Sequence, residues 1–206
     1  VMSDAVSVER RKIIAAFGAK VTLTPGERGT DGAIMKARAL VEEHPEKYFM
    51  PDQFSNRYNN LAHYRTTGEE IWQQTNGEVD YFVSSIGTSG TIMGVGQALK
   101  EHDSNIKVVC AYPERGHYIQ GLKNMEEAIV PAIYDPGQID ERILIRTGDA
   151  YEMARRIVKQ EGIFVGMSSG AAMVAAVEVA KKVSSGVIVV IFPDRGEKYL
   201  STELFS

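Results

Sequence analysis

The residues with the clearest chemical potential form a short polar loop between two apolar segments. The apolar run that begins at Tyr81 ends at the sequence Gly-Thr-Ser-Gly-Thr at 87–91, and a helical spacing of apolar residues follows. Glycines let the backbone turn sharply and present its N–H groups, and the hydroxyls add further donors. A helix N-terminus contributes about half a positive charge. Residues 87–91 are therefore predicted to bind a phosphate group.

The spacing of this loop excludes two familiar phosphate-binding motifs. No Lys-Ser/Thr pair follows the glycines, so the loop is not a P-loop. Its glycine spacing also differs from that of the dinucleotide-binding fingerprint. For the loop taken alone, an ordinary polar turn between a strand and a helix stays open as an alternative.

Alternating strand and helix patterns must position the loop. Strands are predicted at 20–24, 80–84, 107–111, 142–147, 163–166 and 187–192. Helices are predicted at 8–17, 31–43, 62–75, 150–161 and 170–183, with another after Gly90. Such alternation indicates an α/β fold with a mostly parallel sheet and helices on both of its faces.

Two further polar loops are predicted at the same edge of the sheet. One is the glycine- and serine-rich segment 166–172, and the other is the Pro-Asp-Arg-Gly turn that ends at Gly196. Ligands of open parallel sheets bind at the carboxyl ends of the strands. The three loops together therefore predict a binding crevice, although each of them alone could be a simple connection.

The composition narrows the class of protein. A chain of 206 residues with 44% hydrophobic residues can form one large domain, or one domain and a small lobe. A net charge of −4 and scattered Lys and Arg residues give no electrostatic case for nucleic acid. The single cysteine, Cys110, lies in an apolar run without a preceding secretory signal, so a reducing cytoplasm is the expected location. No apolar stretch reaches the roughly 20 residues of a membrane helix.

Several segments, in the same order, resemble the cysteine synthase family, the O-acetylserine sulfhydrylases, which use pyridoxal 5′-phosphate (PLP). The matching segments are Ser7–Arg11, Asp52–Asn56, Thr66–Gly68, Glu70–Trp72, residues 87–91, Ile119–Gly121, Gly162–Ala172 and Gly196–Thr202. Gln73–Thr75, Ile92-Met93 and Asp194–Gly196 look closest to the B-type isozyme. The resemblance implies the fold-type II architecture of PLP enzymes. Residues 1–45 would be the remnant of a small mobile lobe, and residues 46–206 the large PLP-phosphate-binding domain.

The resemblance also assigns roles to individual residues. It implies that the PLP phosphate is held by Gly87, Thr88, Ser89, Gly90 and Thr91. Ser168 would donate a hydrogen bond to the pyridine nitrogen; the alternative is that it caps a helix, and both could be true because the adjacent Ser169 is equally placed to cap. The residues expected near the substrate are Gln53, Phe54, Gly121 and Lys123.

The four substrate residues have different expected roles. Gln53 would donate to the α-carboxylate, Phe54 would form a packing wall, and Gly121 would let a loop close over the site. The family often continues after this glycine with further glycines, or with arginines in the B type, where this chain has Leu122-Lys123-Asn124. Lys123 could attract an anionic leaving group or nucleophile as a point charge, or it could be a solvated surface lysine.

One family feature is missing from these residues. Family members bind PLP as a Schiff base to a lysine that precedes a Ser/Thr-Gly-Asn-Thr loop, and the sequence contains no such motif and no lysine in that context. We therefore expect a truncated or engineered piece of a synthase, or half of a split enzyme, that is inactive by itself.

The implied reaction is a β-replacement in cysteine biosynthesis, in which O-acetylserine or O-phosphoserine and sulfide give L-cysteine. A cystathionine β-synthase, which uses homocysteine as the nucleophile, is an alternative in the same class. A non-catalytic module that binds PLP or phosphate, or that docks the C-terminal tail of a serine acetyltransferase, is an alternative of another class. Full-length relatives are homodimers, so the full-length form of this protein is expected to dimerise.

Overall fold

The computed structural model describes all residues from Val1 to Ser206. The chain divides into two compact units, one formed by Val1–Asp52 together with Gly196–Ser206, and the other by Gln53–Arg195. None of its helices combines the length and the apolar character that crossing a bilayer requires.

The first unit contains two short parallel strands and two helices. Strands β1 (Met2–Ser3) and β2 (Leu23–Thr24) pair in parallel, with Met2 opposite Leu23. Helix α1 spans Val8–Ala16, and helix α2 spans Gly29–Glu43 after a 3₁₀ turn at Gly26–Arg28. The strand predicted at 20–24 is therefore reduced to its last two residues.

Residues 196–206 belong to this first unit, in contrast to the predicted division at residue 46. The Ser7 hydroxyl donates to the Lys198 carbonyl, and Arg10 donates to the hydroxyl of Tyr199, which is fully buried. Glu9 accepts hydrogen bonds from the amide and the hydroxyl of Ser201. These contacts join residues about 190 positions apart in the chain, which no local sequence pattern reveals.

The second unit has a four-stranded parallel sheet in the order β5-β4-β3-β6. Its strands are β3 (Tyr81–Ser85), β4 (Lys107–Pro113), β5 (Glu141–Ile145) and β6 (Ile188–Val190). Its helices are α3 (Tyr58–His63), α4 (Glu69–Gln74), α5 (Gly90–His102), α6 (Thr147–Glu161) and α7 (Met167–Ala180). A 3₁₀ turn at Pro136–Gln138 precedes β5. The parallel α/β fold expected from the sequence is confirmed.

The register places β3 at the centre of the sheet. Ser84 of β3 lies opposite Cys110 of β4, and Val83 lies opposite Val190 of β6. A core of fully buried side chains packs around these strands and helix α5; it includes Phe82, Ile86, Val95, Leu99, Val108 and Cys110. A central strand that is buried on both faces has a nearly continuous apolar sequence, and this pattern is what predicted β3.

One predicted element of the second unit is wrong, and another differs in detail. The segment 163–166 is not a strand; it makes one isolated antiparallel bridge, between Val165 and Arg195, while Ile163 and Phe164 remain 49% and 39% exposed. The helix predicted at 62–75 begins earlier and is interrupted by a π-helical turn at Tyr64–Gly68. The interruption coincides with a close approach to α5, because a Cβ on Gly68 would lie 2.5 Å from the Ala98 Cβ.

Candidate functional site

The polar loop 87–91 connects β3 to α5 at the carboxyl edge of the sheet. Helix α5 begins at Gly90, so its first amide groups point out of the helix N-terminus. Ser89 precedes the helix in a left-handed backbone conformation, with φ at +73°, and is only 3% exposed. Its Oγ atom is buried and has no hydrogen-bond partner. A buried hydroxyl without a partner costs free energy, which a ligand oxygen at this position would recover.

Asn59, a residue that the sequence analysis missed, holds the loop from the side. Its Nδ2 atom donates to the Thr88 Oγ1 at 3.0 Å and to the Gln53 carbonyl at 2.9 Å. A Cβ on Gly90 would lie 2.0 Å from the Asn59 Oδ1, so only glycine leaves room for this amide. Asn59 is 29 positions from Thr88, and a lone asparagine in a polar stretch gives no sequence signal for this contact.

A half-buried histidine contacts the far end of the loop. The Thr91 Oγ1 lies 3.2 Å from the His63 Nε2, and the Thr67 Oγ1 lies 3.0 Å from the His63 Nδ1. Burial lowers the pKa of His63, which favours the neutral ring. A neutral imidazole donates through one nitrogen and accepts through the other, so it can join the two threonine hydroxyls in one chain of hydrogen bonds.

The loop around Gly121 lies against the phosphate loop. The Lys123 amide donates to the carbonyl of Ile86 at 2.8 Å, which fixes this loop to the end of β3. A Cβ on Gly87 would lie 2.6 Å from the Gly121 carbonyl oxygen. Gly121 has a φ of +99°, and a Cβ there would lie 3.5 Å from the Ser168 Oγ. The structure thus brings residue 121 close to both residue 87 and Ser168.

The four residues expected near the substrate have different environments. Phe54 is 8% exposed, and the Lys123 Nζ lies 5.6 Å from the centre of its ring. Lys123 is itself only 7% exposed, which contradicts the alternative of a solvated surface lysine. Gln53 is exposed, and only its backbone carbonyl is tied to the loop through Asn59.

Ser168 lies inside the first turn of α7, which begins three residues earlier than predicted. The residue preceding the helix is Gly166, which has no side chain to cap it. The carboxylate of Asp194 takes this place, because it accepts hydrogen bonds from the Ser168 amide at 3.1 Å and from the Ser169 amide at 2.9 Å. Both alternatives in which Ser168 or Ser169 caps the helix are therefore wrong.

Comparison with known proteins identifies the family. A family described as "Pyridoxal-phosphate dependent enzyme" matches residues 1–194. The chain belongs to this family. A cysteine synthase of Aquifex aeolicus is 52% identical over 208 residues, which cover 98% of this chain and 63% of that protein. Cysteine synthase B of Salmonella typhimurium is 41% identical over 204 residues, which cover 99% of this chain and 67% of that protein.

A solved structure extends the likeness to the fold of this chain. The crystal structure of a cysteine synthase (OASS) from Entamoeba histolytica matches with a TM-score of 0.89 and 44% identity, over 99% of this chain and 63% of that one. The resemblance to cysteine synthases and the PLP dependence of the family are confirmed. Because relatives named with and without the letter B match, the B-type assignment stays a prediction. The chain spans 63–67% of the length of these three proteins.

The residues present fit the phosphate group of PLP. The loop offers amide groups at a helix N-terminus, the hydroxyls of two threonines, and the buried Ser89 hydroxyl without a protein partner. These donors suit an anion with several acceptor oxygens. Positions 87 and 90 have to be glycine, because a side chain at 87 would clash with Gly121 and one at 90 would clash with Asn59.

Proposed function

We propose that these residues form the PLP-phosphate-binding portion of a cysteine synthase, which exchanges the β-substituent of an activated serine for sulfide. The observation that carries the proposal is the buried Ser89 hydroxyl, without a hydrogen-bond partner, at the N-terminus of α5. When bound, PLP supplies the electron sink for breaking bonds at the α- and β-carbons of an amino acid. This chain's own residues bind and orient it.

In this proposal Gly87, Thr88, Ser89, Gly90 and Thr91 hold the phosphate, and Ser168 donates a hydrogen bond to the ring nitrogen. A hydroxyl does not hold a proton on that nitrogen as a carboxylate would. The ring is then a weaker electron sink, which favours β-elimination over transamination. The support for Ser168 is its position, 4% exposed and close to the backbone of Gly121.

A titration of the purified chain with PLP and with unphosphorylated pyridoxal tests the phosphate site. We expect a clear preference for PLP, and we expect Ser89→Ala to weaken PLP binding about ten-fold, because a hydrogen bond to a charged group is lost. Ser185→Ala, at an exposed serine in the turn before β6, is the matched control. Equal affinity for the two compounds would remove the proposal.

We further propose that these 206 residues do not turn over substrate by themselves, because they contain no lysine in the family's Schiff-base context. Addition of PLP should give no visible absorbance band that borohydride traps on the chain, and no cysteine should form from O-acetylserine and sulfide. Robust turnover together with a trapped lysine would contradict this.

The proposal also assigns roles to the four residues expected near the substrate. Gln53 binds the α-carboxylate, Phe54 forms a packing wall, and Gly121 lets its loop close over the site. Lys123 attracts the negative charge of the leaving group or nucleophile. The support for Lys123 is its burial beside Phe54, since an ammonium removed from water gains from an anionic ligand. In a form of the protein that carries the Schiff-base lysine, Lys123→Leu should reduce the rate with O-phosphoserine more than with O-acetylserine. Equal losses would exclude this role.

The resemblance also supports proposals about the assembly, the location and a partner of the protein. They are a homodimeric full-length form, a cytoplasmic location, and docking of the C-terminal tail of a serine acetyltransferase. The docking proposal is tested with a peptide that ends in isoleucine and with the same peptide lacking that residue. Equal binding of the two peptides would dismiss it.

A further inference from the structure

Asp194 binds the start of helix α7 from a separate loop. Its carboxylate accepts hydrogen bonds from the Ser168 amide through Oδ2 and from the Ser169 amide and hydroxyl through Oδ1. The Gly166 amide donates to the Asp194 carbonyl at 3.3 Å. Asp194 is 7% exposed, and Ser169 is fully buried. The loop that carries Asp194 is therefore bound to the start of α7 at the backbone of Ser168 and its neighbours.

The Ser168 hydroxyl takes no part in the hydrogen bonds by which Asp194 caps α7. The carboxylate binds the amide of Ser168 but the hydroxyl only of Ser169. Because the amide of Ser168 is fixed, its Cα–Cβ bond is fixed as well, on the side that faces Gly121, where an added Cβ on Gly121 would lie 3.5 Å from the Ser168 Cβ. Asp194 also places a negative charge at a helix N-terminus, where the amide dipoles stabilise it.

We infer that Asp194 is a positioning residue for the coenzyme ring: it holds Ser168 so that the hydroxyl reaches the pyridine nitrogen. This inference rests on the proposed function, in which Ser168 is the partner of that nitrogen. Asp194 does not touch the ring; it acts through the amides of α7. A serine without this cap would sit on a frayed helix end, because the first amides of α7 would lose their acceptor.

Comparing the binding of two ligands distinguishes this positioning role from a general effect on folding. The ligands are PLP and its 1-deaza analogue, in which a C–H group replaces the ring nitrogen. Both carry the same phosphate, so the contribution of loop 87–91 cancels in the ratio of their dissociation constants. The ratio reports the hydrogen bond at the ring nitrogen, and a variant that only destabilises the chain weakens both ligands equally.

We expect the purified chain to bind PLP about three- to ten-fold more tightly than the analogue, which is the effect of one hydrogen bond. Ser168→Ala should bring the ratio close to one. Asp194→Asn should do the same, because the amide group that replaces one oxygen faces an N–H donor of the helix. The double variant should show no further loss. Asp149→Asn, which removes a charge from the first turn of α6, should keep the wild-type ratio.

Ser169→Ala serves as a second variant in case Asp194→Asn does not fold. It removes the hydroxyl that fixes the carboxylate but keeps both amides, so it should lower the ratio partially. A wild-type ratio in Ser169→Ala and in any folded Asp194→Asn would overturn the inference while leaving the proposed function intact. Equal binding of both ligands by the wild type would also overturn it. Absence of PLP binding to the wild type would remove the proposed function and the inference together.

Discussion

Single residues in this chain take their roles from their surroundings more than from their type. Ser89 and Ser169 are both buried serines close to a helix N-terminus, yet the Ser169 hydroxyl is bound by Asp194 and the Ser89 hydroxyl has no protein partner. The difference marks Ser89 as the one that a ligand can use. Cys110 and His63 show the same dependence on surroundings, and each of them leads to a measurable prediction.

Cys110 should be chemically inert in the folded chain. It is fully buried in β4, and desolvation raises its pKa to about 12, so the reactive thiolate is almost absent at neutral pH. We expect a thiol reagent such as dithionitrobenzoate to leave the native protein unmodified at pH 8 and to react completely in denaturant. Rapid stoichiometric labelling of the native chain would show that β4 is accessible.

His63 should make stability depend on pH. Burial lowers its pKa below the ordinary value, so the unfolded chain binds this proton at higher pH than the folded chain does. Its contribution to the free energy of unfolding is therefore complete above a pH of about 6.5 and declines as the pH falls below that value. Urea unfolding midpoints measured between about pH 7.5 and 5 should fall less steeply for His63→Gln than for the wild type. Parallel curves for the two proteins would contradict this.

Helices of the second unit pack closely where glycines leave the backbone uncovered. A Cβ on Gly170 in α7 would lie 2.1 Å from the carbonyl oxygen of Ala150 and 2.9 Å from the Ala154 Cβ, both in α6. The sequence pattern predicts this glycine at the start of a helix, after a loop. In the structure Gly170 lies inside α7, because the Asp194 cap extends the helix towards its N-terminus.

Gly170→Ala should therefore destabilise the packing of α6 against α7. Overpacking of this kind costs about 1–3 kcal/mol, more than the gain in helix propensity of roughly 1 kcal/mol. Gly148→Ala is the matched control, because a Cβ there would meet nothing within 4 Å. Denaturant unfolding of the two variants measures the difference. Equal stability would mean that α6 and α7 separate without cost.

At the scale of the whole chain, the first unit is completed by residues from both ends of the sequence. Tyr199 is fully buried, and the Arg10 guanidinium lies 5.0 Å from the centre of its ring. The bonds from Ser7 and Arg10 reach residues 198 and 199. Helix α1 itself has no buried residue, so its own apolar face cannot hold it in place.

Substitutions at Tyr199 should therefore lower stability in a graded way. Tyr199→Phe removes one hydrogen bond and should cost about 1 kcal/mol. Tyr199→Ala also leaves a cavity and should cost about 3 kcal/mol or more. Tyr58→Ala, at a tyrosine that is 60% exposed, should change the free energy of unfolding by no more than about 0.5 kcal/mol. Identical urea midpoints for all three would exclude the proposed role of residues 196–206.

Much of the fold and the core of the site could be predicted from the sequence. The apolar run before residue 87 predicted a buried strand, and Gly-Thr-Ser-Gly-Thr predicted the turn into a helix, because both features depend on neighbouring residues. The same local logic located β4, β5 and helices α2, α5 and α6 to within three residues. The family followed from several such segments in a fixed order.

The tertiary structure alone decided how distant residues meet. Asn59 beside Thr88, Lys123 over Phe54, and Asp194 at the start of α7 are contacts between side chains or loops far apart in the chain. A local pattern reports the burial of one face of one element, whereas these contacts depend on how several elements are packed together. For that reason the sequence by itself predicted a polar loop with the chemistry to bind a phosphate, whereas the packing of distant loops decided that Asp194 binds the Ser169 hydroxyl and that the Ser89 hydroxyl has no protein partner.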